Sequence, residues 1–465
     1  MHLHHIHTHN RRSTYEIDML NGPVMPKLLA FAVPLILSSV LQLTFNAADV
    51  IVVGRFEGDR ALAAVGAPGA LINLLVNLFL GLSVGANVVV ARCHGAGDYR
   101  ETSRAVHTAI ALAILSGVGV GLVGFFLAGL FLSWMNVTEE VLPLATVYMR
   151  IYFLGMPANM LYNFGAAILR AVGDTRRPLM YLTLAGIVNV ILNVFFVAAL
   201  GMGVGGVAWA TITSQIVSAV LVLLCLIHTE GSIHLNPRQI ALDRGKVIDI
   251  AKVGLPAGLQ GICFSISNVI IQSTVNAFGT VVTAGNTVAG NIEGYIYVSM
   301  NAIHQAAIIF TSQNVGAGRF DRINRVARDS LLAVTAIGLG LGGLLMLLKH
   351  ALFGIYTSDE AVMAAAAIRD NIIAPTYFLC GTADVLVGLE RGMGSSVRPM
   401  IITLLGICAF RLVWVLGVFP FNPTLNMLYY SYPLSWLITT LVQLAGYFSV
   451  RRRLPAAPAE DRMAA

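Results

Sequence analysis

Asp49, Glu293 and Asp384 are acids inside apolar stretches long enough to cross a bilayer, in a chain of 465 residues. A carboxylate in hydrocarbon is expensive, so such a residue marks a proton or cation site, or else a structural ion pair. Arg411 is positioned to neutralise Glu293, since both fall in the outer halves of their stretches. Asp49 has other company. Asn189 and Asn193, spaced i and i+4 and so on one helix face, and Thr211 fall at its depth, within a slab roughly 9 Å thick at about 1.5 Å per residue. A carboxylate, two amides and a hydroxyl at one depth can hold a sodium ion with oxygen ligands, or tune the proton of Asp49.

Other apparent signals carry less. GVGVGLVG (117–124) contains a GxGxxG string, but it lies in an apolar span rather than between a strand and a helix, so it reads as close helix packing. The run HLHHIHTH (2–9) imposes no metal geometry. Cys93, Cys225, Cys263, Cys380 and Cys408 are scattered and form no CxxC pair, which argues against a disulfide framework or a zinc site. There is no P-loop, HExxH or Ser-His-Asp arrangement, so the sequence reads as neither an ATP-driven machine nor an enzyme, and no cofactor is expected.

Composition dictates what must position these residues. The chain is 57% hydrophobic and 11% charged, against about 25% charged in a soluble domain. Twelve apolar stretches between residues 27 and 450 are each long enough for a transmembrane helix. The polar start and the length of the first stretch argue against a cleaved signal peptide. With both termini inside, 23 of the 29 Lys and Arg fall on inner segments and three on outer loops, a strong positive-inside pattern. The net charge of +6 is thus an orientation device, and a nucleic-acid partner is not expected.

The chain also repeats itself. GAGDYRETSRAV (95–106) returns as GAGRFDRINRVA (316–327), a separation of 221 residues, and LRAVGDTRRPLM (169–180) returns as ERGMGSSVRPMI (390–401). With a one-residue slip, Pro34 falls on Pro256. The expectation is an all-α integral membrane protein of twelve transmembrane helices in two pseudo-symmetric six-helix bundles, related by an axis along the membrane normal. Its parts are a tail at 1–26, a bundle at 27–228, a polar linker at 229–246, a bundle at 247–450 and a tail at 451–465. The charged phrases are cytoplasmic turns, whose arginines can meet lipid phosphates.

FNAADVIVVGRF at the end of the first helix, LRAVGDTRRP before the fifth and NVILNVFF within it resemble the multidrug and toxic compound extrusion family, over nearly all of residues 15–450. The resemblance implies a V-shaped pair of bundles. It also implies a secondary exporter in a bacterial cytoplasmic membrane, exchanging cationic or amphipathic compounds for H+ or Na+, and working as a monomer among membrane lipids. Asp49 resembles the coupling carboxylate of that family, Asn189, Asn193 and Thr211 its polar neighbours, and Pro34 the proline at which the first helix bends in some members. Some members carry Asp where Asn193 stands here.

A substrate cavity between the halves would draw on Gln42 and Asn46 of the first helix and Tyr152, Phe153, Met156, Met160 and Tyr162 of the fourth. It would add Glu293, Tyr295, Tyr297 and Met300 of the eighth, and Tyr377, Phe378 and Asp384 of the tenth. Aromatic faces hold cations and methionines adapt to varied shapes; ordinary helix packing is the competing reading. The rival functions are a lipid-linked oligosaccharide flippase of the same superfamily and a non-transporting scaffold or receptor.

Overall fold

The computed structural model describes residues 15–66, 69–134 and 139–455, and the His-rich start lies outside them. All regular structure among the described residues is helical. In chain order the twelve rods are α1 (Val24–Gly66), α2 (Gly69–Gly95), α3 (Tyr99–Trp134), α4 (Leu142–Leu154 continued as Met156–Ala171), α5 (Arg176–Ala199) and α6 (Gly203–His228) in the first half. The second half holds α7 (Arg244–Asn276), α8 (Thr280–Gly316), α9 (Phe320–Tyr356), α10 (Glu360–Gly392), α11 (Val397–Phe421) and α12 (Leu425–Arg451).

Among the described residues, ten of these rods include a helix long and apolar enough to cross a membrane. The other two depart for visible reasons. The α4 rod is interrupted at Gly155, with Pro157 just beyond, so its pieces are 13 and 16 residues long. The α8 rod runs for 37 residues, but Asn286, Glu293, Asn301, His304 and Asn314 lower its hydropathy. The second half begins at Arg244, earlier than composition suggests, because the Asp243 side chain accepts from the Lys246 backbone N–H (3.0 Å) and caps α7. The preceding linker is not loose. His107 Nε2 accepts from the Asn236 N–H (3.1 Å), and Ile233 and Leu235 are buried.

The repeat is written into the backbone. Gly97 and Gly318 both turn at φ 69°, and Gly173 and Gly394 turn at 95° and 96°. Left-handed φ is what only glycine adopts freely, so each charged phrase needs its glycine at that point.

The halves meet along a seam of small residues. A β-carbon on Gly81 or Gly85 of α2 would overlap the backbone of α7 at Gly254, Gly258 or Ile250. Two small-xxx-small stripes therefore face one another, the arrangement that lets membrane helices pack by van der Waals contact. The same holds at the helix bases, where Gly95 abuts Gln313 and Gly316 abuts Arg92. Both described ends of the chain lie here too: Asn314 donates to the Met19 carbonyl (3.2 Å) and Arg451 to that of Phe320 (3.0 Å). This termini-bearing end is closed.

Candidate functional site

Gln42, Asn46 and Asp49 follow one another by four and three residues on α1, so they share a face. That face lines a cavity of about 400 Å³. Asn189 of α5, Thr211 and Gln215 of α6, Asn159, Tyr162 and Asn163 of α4 and Asn301, His304 and Gln305 of α8 line it as well. The α8 residues belong to the second half, so both halves bound this cavity.

Asn193 Nδ2 donates to Asp49 Oδ1 and also to Asn189 Oδ1 (3.2 Å). Both asparagines are buried. Asn193 Oδ1 is buried without a hydrogen-bond partner among the described residues, an acceptor with unmet capacity. Thr211 lines the same cavity, but its hydroxyl donates within its own helix to the Val207 carbonyl (3.0 Å). Three of the four residues expected at one depth are therefore joined by hydrogen bonds, and the fourth faces the same space. A π-helical turn, Val194–Ala199, follows Asn193 directly; such turns re-aim side chains inside helices. The α1–α5 contact that sets the Asp49–Asn193 distance is tight, because the Phe45 ring fills the space where Gly186 lacks a side chain. Pro34 lies further down α1, which runs through it as one continuous helix, and the Ser38 hydroxyl donates to the Pro34 carbonyl (2.8 Å).

A second cavity, about 650 Å³, is bounded mainly by the second half, with Asn77 of α2 on its wall, and takes in Glu293, Tyr297, Tyr377 and Asp384. The partner of Glu293 is not Arg411, as its depth suggests, but Arg369. Arg369 Nε and a terminal nitrogen donate to the two carboxylate oxygens of Glu293 at 2.9 and 2.6 Å, and its other terminal nitrogen donates to Asn286 (2.6 Å). Glu293 and Arg369 face each other side by side, which permits the bidentate fit a guanidinium favours. Arg411 instead lies over the Tyr432 ring, 4.1 Å from its centroid, and donates to Ser435 (3.2 Å). Asp384 forms no ion pair among the described residues, and its backbone carbonyl bonds His304 Nδ1 (2.5 Å).

Several expected cavity residues are elsewhere. Met156, Met160 and Met300 are buried in the packed cores of their bundles; the Met300 sulfur fits against Gly338 and Gly381. Phe153 fills the notch at Gly124, and Phe378 packs on Gly338. Tyr152 stacks on Tyr148, centroids 6.1 Å apart, and lines neither cavity. Tyr295 is exposed on the helix surface. Aromatic and methionine content marks packing as readily as binding. The better signal was amide spacing. Asn159 with Asn163 and Asn301 with Gln305 are i, i+4 pairs that bond one another (3.0 Å in each case) and face the first cavity. Sequence reasoning also passed over Asp370 and Glu390, both fully buried on α10.

Comparison of the halves separates what the fold needs from what it does not. The repeat positions of Asp49, Asn189 and Asn193 are Ile271, Phe410 and Trp414. Those of Glu293, Arg369 and Asp384 are Ile72, Tyr148 and Asn163. Each half builds the same bundle without the other's charged cluster.

The MatE family model matches residues 34–195 and 256–415, one segment in each half, the two opening on Pro34 and Pro256. The chain belongs to the MatE family. Its relatives include "Probable multidrug resistance protein YoeA" of Bacillus subtilis, 27% identical over 90% of this chain and 92% of that protein. "Multidrug resistance protein PmpM" of Pseudomonas aeruginosa is 26% identical over 83% of this chain and 84% of that one. Among solved structures, an outward-facing conformation of a multidrug resistance MATE transporter of the MOP superfamily superimposes with a TM-score of 0.85. It covers 95% of this chain and 98% of that one at 22% identity, a likeness of fold. The MatE family is one of transporters rather than enzymes, and this member is a multi-pass membrane protein.

Proposed function

We propose that this MatE protein exports amphipathic or cationic compounds across a bacterial cytoplasmic membrane in exchange for H+ or Na+. The carrying observation is the Asp49–Asn193–Asn189 chain of hydrogen bonds, two members of which, Asp49 and Asn189, line a cavity that both halves bound. The repeat comparison supports a role beyond folding, since the second half has apolar residues at those positions. The Lys/Arg asymmetry orients both termini to the cytoplasm. Closure at the termini-bearing end then corresponds to an outward-facing state.

In that state Asp49 takes up the ion. A proton on the carboxylate, or a sodium ion shared with Asn189, Asn193 and Thr211, competes with the Asn193 donor. Loss of that bond loosens α1 from α5, which the Phe45–Gly186 contact otherwise holds together, and Pro34 gives α1 a place to yield, since proline lacks an amide donor. The cavity beside Asp49 changes shape, substrate leaves, and the protein turns inward as a monomer to release the ion.

The test is uphill efflux of a cationic dye by purified Asp49→Asn in liposomes under imposed proton and sodium gradients. The variant should bind dye and fold, yet lose gradient-driven transport. Wild-type pumping would make Asp49 structural and move the coupling site to Glu293 or Asp384.

A further inference from the structure

Between α7 and α11, at the termini-bearing end, a groove of about 1020 Å³ opens on the outer face of the second half. Its walls are apolar and exposed: Leu255 on α7, Ile401 on α11 and Val442 on α12. Two cations line it as well, the exposed Lys252 and the half-buried Arg398. Neither forms an ion pair among the described residues. Glu390, the acid whose field reaches Arg398, is buried against Gly446 and makes no hydrogen bond to it.

The first half shows what this place looks like when it is filled. Arg177 is the repeat position of Arg398. It is ion-paired with Asp174, donates to Cys225 Sγ and Thr229 Oγ1 (3.1 Å each), and lies under the Tyr15 ring, 5.6 Å from its centroid. The chain's own Ile17 lies across Gly173. In the second half Asp174 is replaced by Ser395 and Cys225 by Gly446, and Gly394, the repeat position of Gly173, is exposed. Substitution within the repeat has thus removed the directly paired carboxylate and the cover while keeping the arginine, and leaves only the more distant, buried Glu390 to act on it.

We propose that this groove is a binding site for an anionic phospholipid of the adjoining leaflet. The headgroup phosphate meets Lys252 and Arg398, and an acyl chain lies along Leu255, Ile401 and Val442. Leu255 follows Lys252 by about one helical turn, which places apolar wall directly beyond the charge. Pro256, the repeat position of Pro34, lines the same groove, so a bound lipid sits against the one α7 position without an amide donor. This inference does not depend on the coupling ion or the exported substrate.

Native mass spectrometry of the purified full-length protein tests it, using phosphatidylglycerol and phosphatidylcholine of identical chains. Each basic residue near a headgroup contributes about fivefold, so with two of them wild type should prefer phosphatidylglycerol by roughly twenty-fivefold. Lys252→Gln/Arg398→Gln should abolish the preference, whereas Arg452→Gln/Arg453→Gln, at the same end but outside the groove, should keep it. Ile401→Trp, which fills the acyl trough without changing charge, should lower retention of both lipids. Three results would overturn the site: no preference in wild type, full preference in the double variant, or displacement of phosphatidylglycerol by equimolar inorganic phosphate. Gel filtration of each variant as a single monodisperse peak excludes misfolding as the cause of a loss.

Discussion

Arg92 and Gln313 hold the same position in the two halves, 221 residues apart, and each reaches the same place in the other half. Arg92 donates to the Gly392 carbonyl (3.3 Å) and Gln313 to the Ala171 carbonyl (2.7 Å). Ala171 and Gly392 are themselves repeat positions. One contact is therefore made twice, tying the base of α2 to α10 and the base of α8 to α4. With Gly95 and Gly316 beside them, these bonds close the termini-bearing end.

Removing half of that pair should loosen the closure. Gln313→Leu leaves the Ala171 carbonyl without its donor, at a cost of about 1–3 kcal/mol for a buried unpaired group. Spin labels on Asp98→Cys and Asp321→Cys, in a background without native cysteines, should report a larger population of long distances. An unchanged distance distribution would mean that the bond does not hold the gate.

The orientation has its own check. A cysteine in place of Lys349, in the same background, should react with an impermeant maleimide added to intact cells. Cysteines replacing Asp98 or Asp321 should react only after the membrane is opened. Reversed labelling would place the termini outside.

Most of the architecture was legible because membrane physics leaves few alternatives: long apolar runs must be helices, and a 221-residue repeat with six runs per copy must give two bundles. The candidate cluster was legible where polarity was out of place. Asp49, Asn189 and Asn193 stood out against apolar neighbours, and helical spacing put them at one depth. The Glu293 partner was misassigned, since depth selects a layer but not a neighbour, and Arg369 and Arg411 both offered a charge. Met156, Met160 and Met300 were misplaced because apolar side chains look alike whether they face a cavity or a packed helix.

The Glu293–Arg369 pair makes a stability prediction. Arg369→Ala leaves a buried carboxylate uncompensated and should destabilise by about 3–5 kcal/mol, whereas the double variant Glu293→Gln/Arg369→Met should recover much of that loss. Thermal unfolding in one detergent measures both. A double variant no more stable than Arg369→Ala would show that the pair's worth lies in something other than mutual neutralisation.

Pro34 sits within an unbroken α1, so the proposed hinge there is tested by rates of exchange rather than by the resting structure. Pro34→Ala restores a backbone donor where α1 would yield. The variant should insert and bind dye as wild type does, but exchange between states several-fold more slowly, with a proportionate fall in efflux rate. Wild-type rates at equal expression would argue against a hinge at this position.

Asn193 distinguishes the two ways Asp49 can work. Its Nδ2 is shared between Asp49 and Asn189, and its Oδ1 has no partner among the described residues, so the amide both restrains the carboxylate and offers a ligand. Asn193→Leu removes both functions. If Asp49 carries only a proton, this variant keeps proton-driven efflux in weakened form, because the carboxylate still titrates without its donor. Asn193→Asp removes the donor and sets a second carboxylate against the first. Two such groups cannot both stay ionised in a dry bundle unless a proton or a cation lies between them. Sodium, held by both carboxylates and by the Asn189 and Thr211 oxygens, fits that requirement, so Asn193→Asp should strengthen sodium-driven efflux relative to proton-driven efflux. Liposomes with either gradient imposed alone give the ratio directly. An unchanged ratio, in a variant that still transports, would place the ion outside reach of Asn193 and leave the Asp49–Asn193 bond as a packing contact between α1 and α5.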